Sequence, residues 1–342
     1  MRAPWRLTFD TNPDQCNLHC IMCEEHSNYN IKKEKMNRIM DFKIIEDVLE
    51  DTIKFGLKEI IPSTMGEPLL YKNILDLLNL IKHYKLKLNL TTNGTFPRLS
   101  VEEWGHLILP IASDVKISIN GASMEINESI MEGIDFKKHI EYIKKFLEIR
   151  DVIRKKGLNH PTITLQATFM KRNLKELPEL LRLAIKLGID RFKGHHLWIT
   201  HPELDEESLR KKKIDIIRWN SIVNKMNLII KNEKLRNGNK IRLDNIYAIP
   251  IKNENVIPDN YFCPFLGKEA WIAWDGTFNV CCSPDDLRQS LGYFGNIRDT
   301  SFMKIWNGEN YKQFVDNWGN YEVCKICNMR RPLNKIRGCN ND

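Results

Sequence analysis

The sequence lacks any long hydrophobic run. In its 342 residues the unbroken apolar stretches span only a few positions, far fewer than the roughly 20 that a membrane-spanning helix needs. The N-terminal segment MRAPWRLTFD also lacks the apolar core of a secretory signal peptide. These absences predict a cytoplasmic protein without a membrane partner.

Internal repeats, low-complexity segments and an aromatic-basic nucleic-acid motif are also missing. The net charge of +8 is a weak indication of nucleic-acid binding by itself, because many lysines fall among acids on the solvent faces of predicted helices. We therefore expect no nucleic-acid partner. The lysines in question are Lys144, Lys145, Lys211, Lys212 and Lys213.

The first 200 residues alternate short apolar strands with amphipathic helices. Periods of two, or short apolar runs, predict strands at residues 5–11, 59–64, 85–90, 115–119, 163–169 and 189–200. Helical spacing fills the intervals, as at Ile74, Leu77, Leu78 and Ile81. Regular β/α alternation indicates parallel strands with helical crossovers. Six units are fewer than the eight of a closed barrel, so we predict an α/β fold with an open partial (β/α)6 barrel.

The rest of the chain changes character. A long charged helix is predicted from 204 to about 237, and a β-hairpin is predicted around the turn Asp275-Gly276. The predicted division is a barrel core at 1–203, a helical linker at 204–255 and a small α+β domain at 256–342. Six of the nine cysteines lie in this second part, and in a reducing compartment they favour metal ligands or catalytic thiols over disulfides.

Three cysteines follow the first predicted strand. Cys16, Cys20 and Cys23 are separated by three and then two residues. Thiolates this close in a loop can bind one iron–sulfur cluster. A zinc site is the alternative, with His19 or His26 as the fourth ligand.

The placement of this triad resembles that of radical S-adenosylmethionine (SAM) enzymes. The resemblance implies a 4Fe–4S cluster with one open iron that binds SAM, whose reductive cleavage yields a 5′-deoxyadenosyl radical. It also implies SAM contacts at Met65, Gly66 and Glu67 in STMGEP, and at Ser118 and Asn120 in KISINGAS. Met65 replaces a glycine of the family motif, and Met22 replaces the aromatic residue that usually packs on the adenine.

The C-terminal cysteines resemble a twitch domain, the shortened form of the SPASM domain in the same family. The resemblance implies one auxiliary 4Fe–4S cluster with four protein ligands: Cys263, Cys281, Cys324 and Cys327. A structural zinc ribbon is the alternative for these four. Cys282 and Cys339 remain, either as free thiols or as a hydrogen donor or further ligand.

The sixth strand ends in FKGHHLWITHP, which brings Lys193, His195, His196 and His201 to the predicted barrel mouth. Strand alternation allows only one of His195 and His196 to point inward. We expect Lys193 or an inward His196 to act as a base, with Gln166 as another inward candidate.

The arrangement is similar to that of the aminocyclitol dehydrogenases of butirosin biosynthesis. It implies oxidation or epimerisation of a carbohydrate-like small molecule, with the auxiliary cluster as electron relay and flavodoxin or ferredoxin as donor. Peptide maturation is the main alternative, although the cluster loop begins too early to leave room for an N-terminal peptide-recognition domain. A non-catalytic metal- or SAM-binding regulator is the third possibility.

Overall fold

The computed structural model describes residues 2–30, 36–63, 65–158, 160–251 and 260–332. Its strands are β1 (Arg6–Phe9), β2 (Glu59–Ile61), β3 (Lys87–Thr92), β4 (Ala112–Ser118), β5 (Thr162–Phe169), β6 (Arg191–His196), β7 (Arg242–Asp244), β8 (Tyr261–Phe262), β9 (Glu269–Ile272), β10 (Phe278–Asn279) and β11 (Arg331–Pro332). Its helices are α1 (Phe42–Thr52), α2 (Ile74–His83), α3 (Val101–Ile108), α4 (Met124–Ile130), α5 (Phe136–Lys155), α6 (Leu177–Leu187), α7 (Lys213–Asn232), α8 (Asp285–Gln289), α9 (Phe302–Trp306), α10 (Glu309–Asn317) and α11 (Glu322–Lys325).

A nine-stranded sheet organises the molecule, in the order β10-β9-β1-β2-β3-β4-β5-β6-β7. Neighbouring strands from β9 to β7 are parallel, and only β10 is antiparallel to its neighbour β9. Helices connect β1 to β6 in turn, which confirms the predicted α/β class and the six β/α units. None of the described helices is both long enough and apolar enough to cross a membrane.

The predicted boundaries shift at two places. The sixth strand ends at His196 and not at residue 200. The predicted helix from 204 is a short 3₁₀ segment, Pro202–Glu207, followed by α7 from Lys213. The break occurs because the Glu207 backbone carbonyl accepts from Lys171 N at 2.9 Å instead of continuing the helix. Thr64, Cys339 and the predicted boundary at residues 255 and 256 lie outside the described residues.

The two faces of the barrel strands differ in chemistry. On β5, Ile163, Leu165 and Phe169 are fully buried in the main hydrophobic core, which includes buried side chains of the surrounding helices. The alternate positions carry polar side chains, because successive residues of a strand point to opposite faces. Thr164 on this inner face accepts from Arg191 Nε at 3.0 Å and donates to Asp114 at 2.7 Å.

The C-terminal hairpin belongs to the same sheet. β9 pairs with β1 in parallel, with Arg6 opposite Glu269 and Phe9 opposite Ile272. The predicted hairpin around Asp275-Gly276 is present as β9 and β10. A separate two-stranded sheet pairs β8 with β11 and joins the chain near residue 262 to the chain near residue 331.

Candidate active site at the carboxyl ends of the strands

The loop after β1 carries Cys16, Cys20 and Cys23, and neighbouring segments hold its shape. His19 N donates to Glu132 O at 2.8 Å, and Ile21 N donates to Ile130 O at 2.9 Å. From the other side, His201 Nε2 lies 3.0 Å from Cys23 O. The loop is therefore clamped between the end of α4 and the segment after β6.

The three thiols are half-buried and electrostatically close to one another. Burial, together with the charges of Glu67 and Cys23, raises the pKa of Cys16 to about 11. Burial also raises the pKa values of Cys20 and Cys23. Bound iron would favour the thiolates in this setting, so the donor set suits an iron–sulfur cluster.

Two hydrogen-bond donors reach the cysteine sulfurs. Asn93 Nδ2 lies 3.8 Å from Cys16 Sγ, and His26 N lies 3.4 Å from Cys23 Sγ. Among the described residues, no three His, Cys, Asp or Glu side chains form a group that would hold a single metal ion. A cluster spaces its thiolates more widely than a single ion does, because each thiolate binds a different iron.

The histidines considered as zinc ligands contact backbone carbonyls. His26 Nε2 lies 2.7 Å from Pro13 O, and His19 Nδ1 lies 3.1 Å from His26 O. Both contacts lie within the cluster loop, and they help to set its conformation.

Gly66 brings the turn after β2 against the cluster loop. It has φ +74°, a left-handed conformation that glycine adopts without steric cost. A Cβ here would overlap Asn12 O and lie 2.8 Å from Gln15 O. The adjacent Glu67 N donates to Gln15 O at 2.8 Å. This position therefore requires glycine.

Glu67 is buried, and the surrounding chain engages its carboxylate. Glu67 accepts from Thr92 Oγ1 at 2.8 Å, Asn93 N at 2.7 Å and Leu69 N at 3.2 Å. Burial raises its pKa to about 7, although these three donors oppose the rise. The carboxylate thus joins the turn after β2 to the TTNGT segment after β3. At Met65 the backbone carbonyl accepts from the Ser63 hydroxyl.

The other expected SAM contacts lie at the same end of the sheet. Asn120 is buried, and its Oδ1 accepts from Thr168 N at 2.8 Å. Ser118 lies opposite Gln166 on the inner face of β4. Met22 packs against an apolar cluster formed by Ile21, Ile130, Met170, Leu197 and Leu204.

The structure corrects the expected orientation of the paired histidines. His196 points to the helix layer, where its ring centroid lies 4.5 Å from Trp219 and 5.7 Å from Phe169. It therefore does not face the barrel interior. His195 faces inward, with Nε2 3.4 Å from Thr168 Oγ1. Burial lowers the pKa of His195 to about 4, with a contribution from the charge of Lys193.

A row of polar side chains follows His195 down the inner face. Ser118, Gln166 and Lys193 occupy opposed positions on β4, β5 and β6, one step below the pair Thr168 and His195. Burial lowers the pKa of Lys193. The structure thus brings together the predicted Gln166 and Lys193, and it places His195 where His196 was expected.

Lys116 was missed at the level of the sequence. It is buried on the inner face of β4, opposite Thr164, and it donates to Asn89 Oδ1. Burial, together with the positive charge of Lys193, lowers its pKa to about 7, although the charge of Asp114 opposes this shift. The alternation of Asp114, Lys116 and Ser118 in SDVKIS is the signal that would have placed it.

A second group of thiols gathers in the C-terminal region. Cys263 follows β8, Cys281 and Cys282 follow β10, and Cys324 and Cys327 lie in and after α11. Burial raises the pKa values of Cys324 and Cys327 to about 12, and neighbouring thiols, including Cys281, contribute. Burial raises the pKa of the Cys282 thiol, and the charges of Cys281, Cys327 and Cys263 also raise it. Cys282 therefore lies close to these thiols and belongs to the same group. Half-buried thiols gathered in this way suit an iron–sulfur cluster.

Two connections join this thiol group to the barrel. Asn328, next to Cys327, donates to His196 O at 2.6 Å at the end of β6. On the other side, Asp285 N at the start of α8 donates to Glu24 Oε2 at 3.0 Å in the cluster loop. The carboxyl end of β6 and the segment after it therefore contact both thiol-bearing regions, through Asn328 and through the His201–Cys23 contact.

An ion-pair network accompanies the second connection. Arg38 contacts Asp14, Glu25 at 2.6 Å and Asp285 at 3.6 Å. Arg288 of α8 contacts Asp10 at 3.4 Å. These side chains fix the cluster loop against the segment that follows Cys281 and Cys282.

Comparisons with curated proteins show relatives that align with most of this chain. The chain is 27% identical over 347 residues to the tungsten-containing aldehyde ferredoxin oxidoreductase cofactor-modifying protein of Pyrococcus furiosus, which covers 94% of this chain and 87% of the relative. It is 24% identical over 339 residues to the mycofactocin maturase of Mycobacterium tuberculosis, covering 94% and 76%.

Solved structures share the fold. SuiB of Streptococcus suis bound to S-adenosylmethionine has a TM-score of 0.66 at 19% identity, covering 98% of this chain and 74% of that chain. BtrN in complex with AdoMet and 2-DOIA has a TM-score of 0.50 at 14% identity, covering 97% and 95%.

Two family models match the chain. The radical SAM superfamily model matches residues 13–184, half of the chain, and the SPASM iron–sulfur cluster-binding domain matches residues 263–328. These matches confirm the predicted cofactors, a 4Fe–4S cluster with SAM and an auxiliary iron–sulfur cluster. The chain belongs to the radical SAM superfamily and carries a SPASM-type domain in its C-terminal region.

Proposed function

We propose that this radical SAM enzyme dehydrogenates a carbohydrate-like small molecule inside the partial barrel. Epimerisation of the same class of molecule is the variant that needs no net oxidation. The observation that carries the proposal is the inner row of Ser118, Gln166, Lys193 and His195. The row ends on β6, and the end of that strand and the segment after it contact both thiol-bearing regions. Polar side chains of this kind suit hydroxyl-rich ligands.

Specific residues are proposed to hold the cofactors. Cys16, Cys20 and Cys23 would bind the cluster that accepts SAM. Cys263, Cys281, Cys324 and Cys327 would bind the auxiliary cluster. The proposed SAM contacts are Met22, Met65, Gly66, Glu67, Ser118 and Asn120. Because the Glu67 carboxylate already accepts from three donors, we assign Glu67 the shaping of the turn beside SAM.

When bound, SAM and its cluster would supply a 5′-deoxyadenosyl radical, which removes a carbon-bound hydrogen. The auxiliary cluster would accept the electron that remains on the substrate. The chain itself must remove the hydroxyl proton. His195 is proposed as the acceptor, because it faces inward, with Nε2 3.4 Å from Thr168 Oγ1 near the carboxyl end of the strands. Gln166 would orient the substrate. His196 takes no part, because its ring packs on Trp219.

The test uses the reconstituted enzyme with SAM and reduced flavodoxin or ferredoxin, the proposed electron donors. Candidate sugars and aminocyclitols carry deuterium at each carbon in turn. We expect 5′-deoxyadenosine to form and to contain deuterium from one position, with a ketone as product. A protein that binds iron but never forms 5′-deoxyadenosine would overturn the proposal.

Peptide maturation is the second candidate. It is favoured by the 24% identity to the mycofactocin maturase over 94% of this chain. The two candidates differ in the deuterium donor. Transfer from a side chain of a precursor peptide, with none from any sugar or aminocyclitol, would replace the first proposal by the second.

A further inference from the structure

Two lysines inside the barrel have no carboxylate partner. Lys116 and Lys193 both point to the inner face, and within the described part of the chain neither forms an ion pair with an acidic side chain. Burial of an unpaired ammonium is costly. The two lysines are also close enough for the charge on Lys193 to disfavour the charged form of Lys116. The arrangement is therefore short of negative charge.

The nearby carboxylates are already engaged by arginines. Arg6 contacts Glu59 and also Glu269, the latter at 3.0 Å. Arg191 contacts Asp114, and Arg331 lies 3.6 Å from Asp244. The charges of Asp244 and Asp114 still favour the protonated lysines, but these carboxylates are shared with Arg331 and Arg191, so four carboxylates serve three arginines and two lysines.

Lys193 belongs to the inner row, and Lys116 lies below that row. Lys193 is opposite Gln166, and the pair Thr168 and His195 follows one step nearer the barrel mouth. Lys116 is one step deeper, opposite Thr164. A group entering past His195 would meet Lys193 first and Lys116 next.

We propose that Lys193 and Lys116 bind an anionic oxygen group of the substrate, either a tetrahedral phosphate or sulfate ester or a carboxylate. The inference rests on the proposed function and narrows its substrate class to anionic small molecules. Lys193 then acts in binding, and the proton acceptor is His195. Asn89 contributes by holding the Lys116 ammonium through Oδ1.

Calorimetric titration of the holoenzyme tests the proposal. SAM is present at saturation without reductant, so that its own carboxylate is not the ligand detected. Sulfate is the probe for a tetrahedral ester and acetate is the probe for a carboxylate. We expect the wild type to bind one of them, and which one binds identifies the class of anion. Binding of neither probe overturns the proposal.

Substitutions of Lys193 test whether the anion probe binds at the two lysines. Lys193→Gln should weaken binding of that probe by at least about thirtyfold, as expected when one partner of a buried charge pair is removed. Lys193→Arg should retain most of the affinity. Lys186→Gln is the matched control, since Lys186 is exposed on α6. Unchanged affinity in Lys193→Gln, with normal iron content and circular dichroism, overturns the proposal.

The pH dependence provides a readout that a purely structural lysine would not change. With a free-enzyme pKa of about 7, Lys116 is largely neutral at higher pH and must take up a proton when an anion binds. Affinity for the probe should therefore fall above pH 7, by up to about tenfold per pH unit. Sulfate and acetate keep their charge there, and a flat profile from pH 6 to 9 overturns the role of Lys116. The charged or titratable groups facing the two lysines are Arg6, Glu59, Asp114, Arg191, His195, Asp244, Glu269 and Arg331.

Failure of this inference is distinguishable from failure of the proposed function. If deuterium reaches 5′-deoxyadenosine from an uncharged sugar while neither anion binds, the function stands and the anion site fails. If an anion binds at the lysines but no 5′-deoxyadenosine forms with any substrate, the site stands and the function fails.

Discussion

The two thiol groups are assembled in different ways. The N-terminal group comes from one loop, in which Cys16, Cys20 and Cys23 lie within eight residues. The C-terminal group comes from three segments between residues 263 and 327, joined by the β8–β11 pairing and the β9–β10 hairpin. A local group depends on the conformation of its loop, whereas a dispersed group depends on the folding of the whole region.

Replacing the cysteines of either thiol group should have the largest effect, a loss of the iron bound at that group. Changing Cys16, Cys20 and Cys23 together to Ala should abolish 5′-deoxyadenosine formation and leave about four irons per chain on the other site. Changing Cys263, Cys281, Cys324 and Cys327 should also remove iron, with some loss of folding. Iron and sulfide analysis with electron paramagnetic resonance makes the measurement.

Cys282→Ala is the matched control for the dispersed group. Cys282 shares the buried setting of its neighbours but lies outside the proposed ligand set. The variant should keep all of its iron. Loss of the auxiliary signal in this variant alone would show that the ligand assignment is wrong.

Gly66→Ala tests the dependence of the local group on its loop. A Cβ at Gly66 would overlap Asn12 O, so we expect a loss of about 3 kcal/mol or more in the free energy of unfolding. The N-terminal cluster should be lost and the auxiliary cluster kept. Chemical denaturation and spectroscopy of both clusters provide the readout.

Gly188→Ala is the control that measures the cost of the left-handed conformation without any steric overlap. Gly188 has φ +84°, and a Cβ added there would meet no atom within 4 Å. Its replacement should cost only about 1 kcal/mol and leave both clusters intact. Equal costs at the two glycines would refute the close approach at Gly66.

Two long-range hydrogen bonds give an intermediate effect. His201 Nε2 contacts Cys23 O, and Asn328 Nδ2 contacts His196 O. Replacing either residue by Ala should cost about 1–3 kcal/mol, since a buried partner loses its hydrogen bond. His201→Ala should speed chelator-driven iron release at the N-terminal site, and Asn328→Ala should do so at the auxiliary site. If His201→Ala speeds iron release at the auxiliary site instead, or Asn328→Ala at the N-terminal site, these contacts do not stabilise the thiol groups to which we assign them.

Asp285→Asn should have the smallest effect. The Asp285 carboxylate contacts Arg38 at 3.6 Å and the buried Arg288 of its own helix, while its backbone N still donates to Glu24. Arg38 keeps Asp14 and Glu25 as partners and Arg288 keeps Asp10, so we expect a loss of at most about 1 kcal/mol in the free energy of unfolding. Asp286→Asn makes the same charge change at an exposed neighbour and should cost nothing measurable. Equal values for the two variants would show that the contact does not stabilise the connection.

Much of the fold was predictable because its signals are local. Period-two alternation located the strand near Leu88, and α6 ends at Gly188, a residue type that often follows the last turn of a helix. The pairing of β9 with β1 was not predictable, because it joins residues more than 250 positions apart. Nothing in the sequence near Glu269 shows that Arg6 lies opposite.

The candidate site also combines features that local sequence predicts with features that depend on the assembled sheet. Alternation showed that only one of His195 and His196 faces inward, but the choice depends on the register that places Thr168 opposite His195. Lys116 was missed because a lysine in an alternating strand also suits a solvent-facing position. Its partner Asn89 lies on a different strand, so only the assembled sheet shows that the lysine is enclosed.

The pairing of β9 with β1 also limits how the protein can be divided. β9 supplies the outer hydrogen-bonding neighbour of β1, and Glu269 completes the charge around Arg6. A truncated chain ending before β9 would present an open strand edge beside the cluster loop, which promotes aggregation. A chimaera that takes its C-terminal region from a relative must therefore also take the residues of β1 that pair with β9. A cut at the start of the SPASM match would separate these two strands and leave neither piece with a complete sheet.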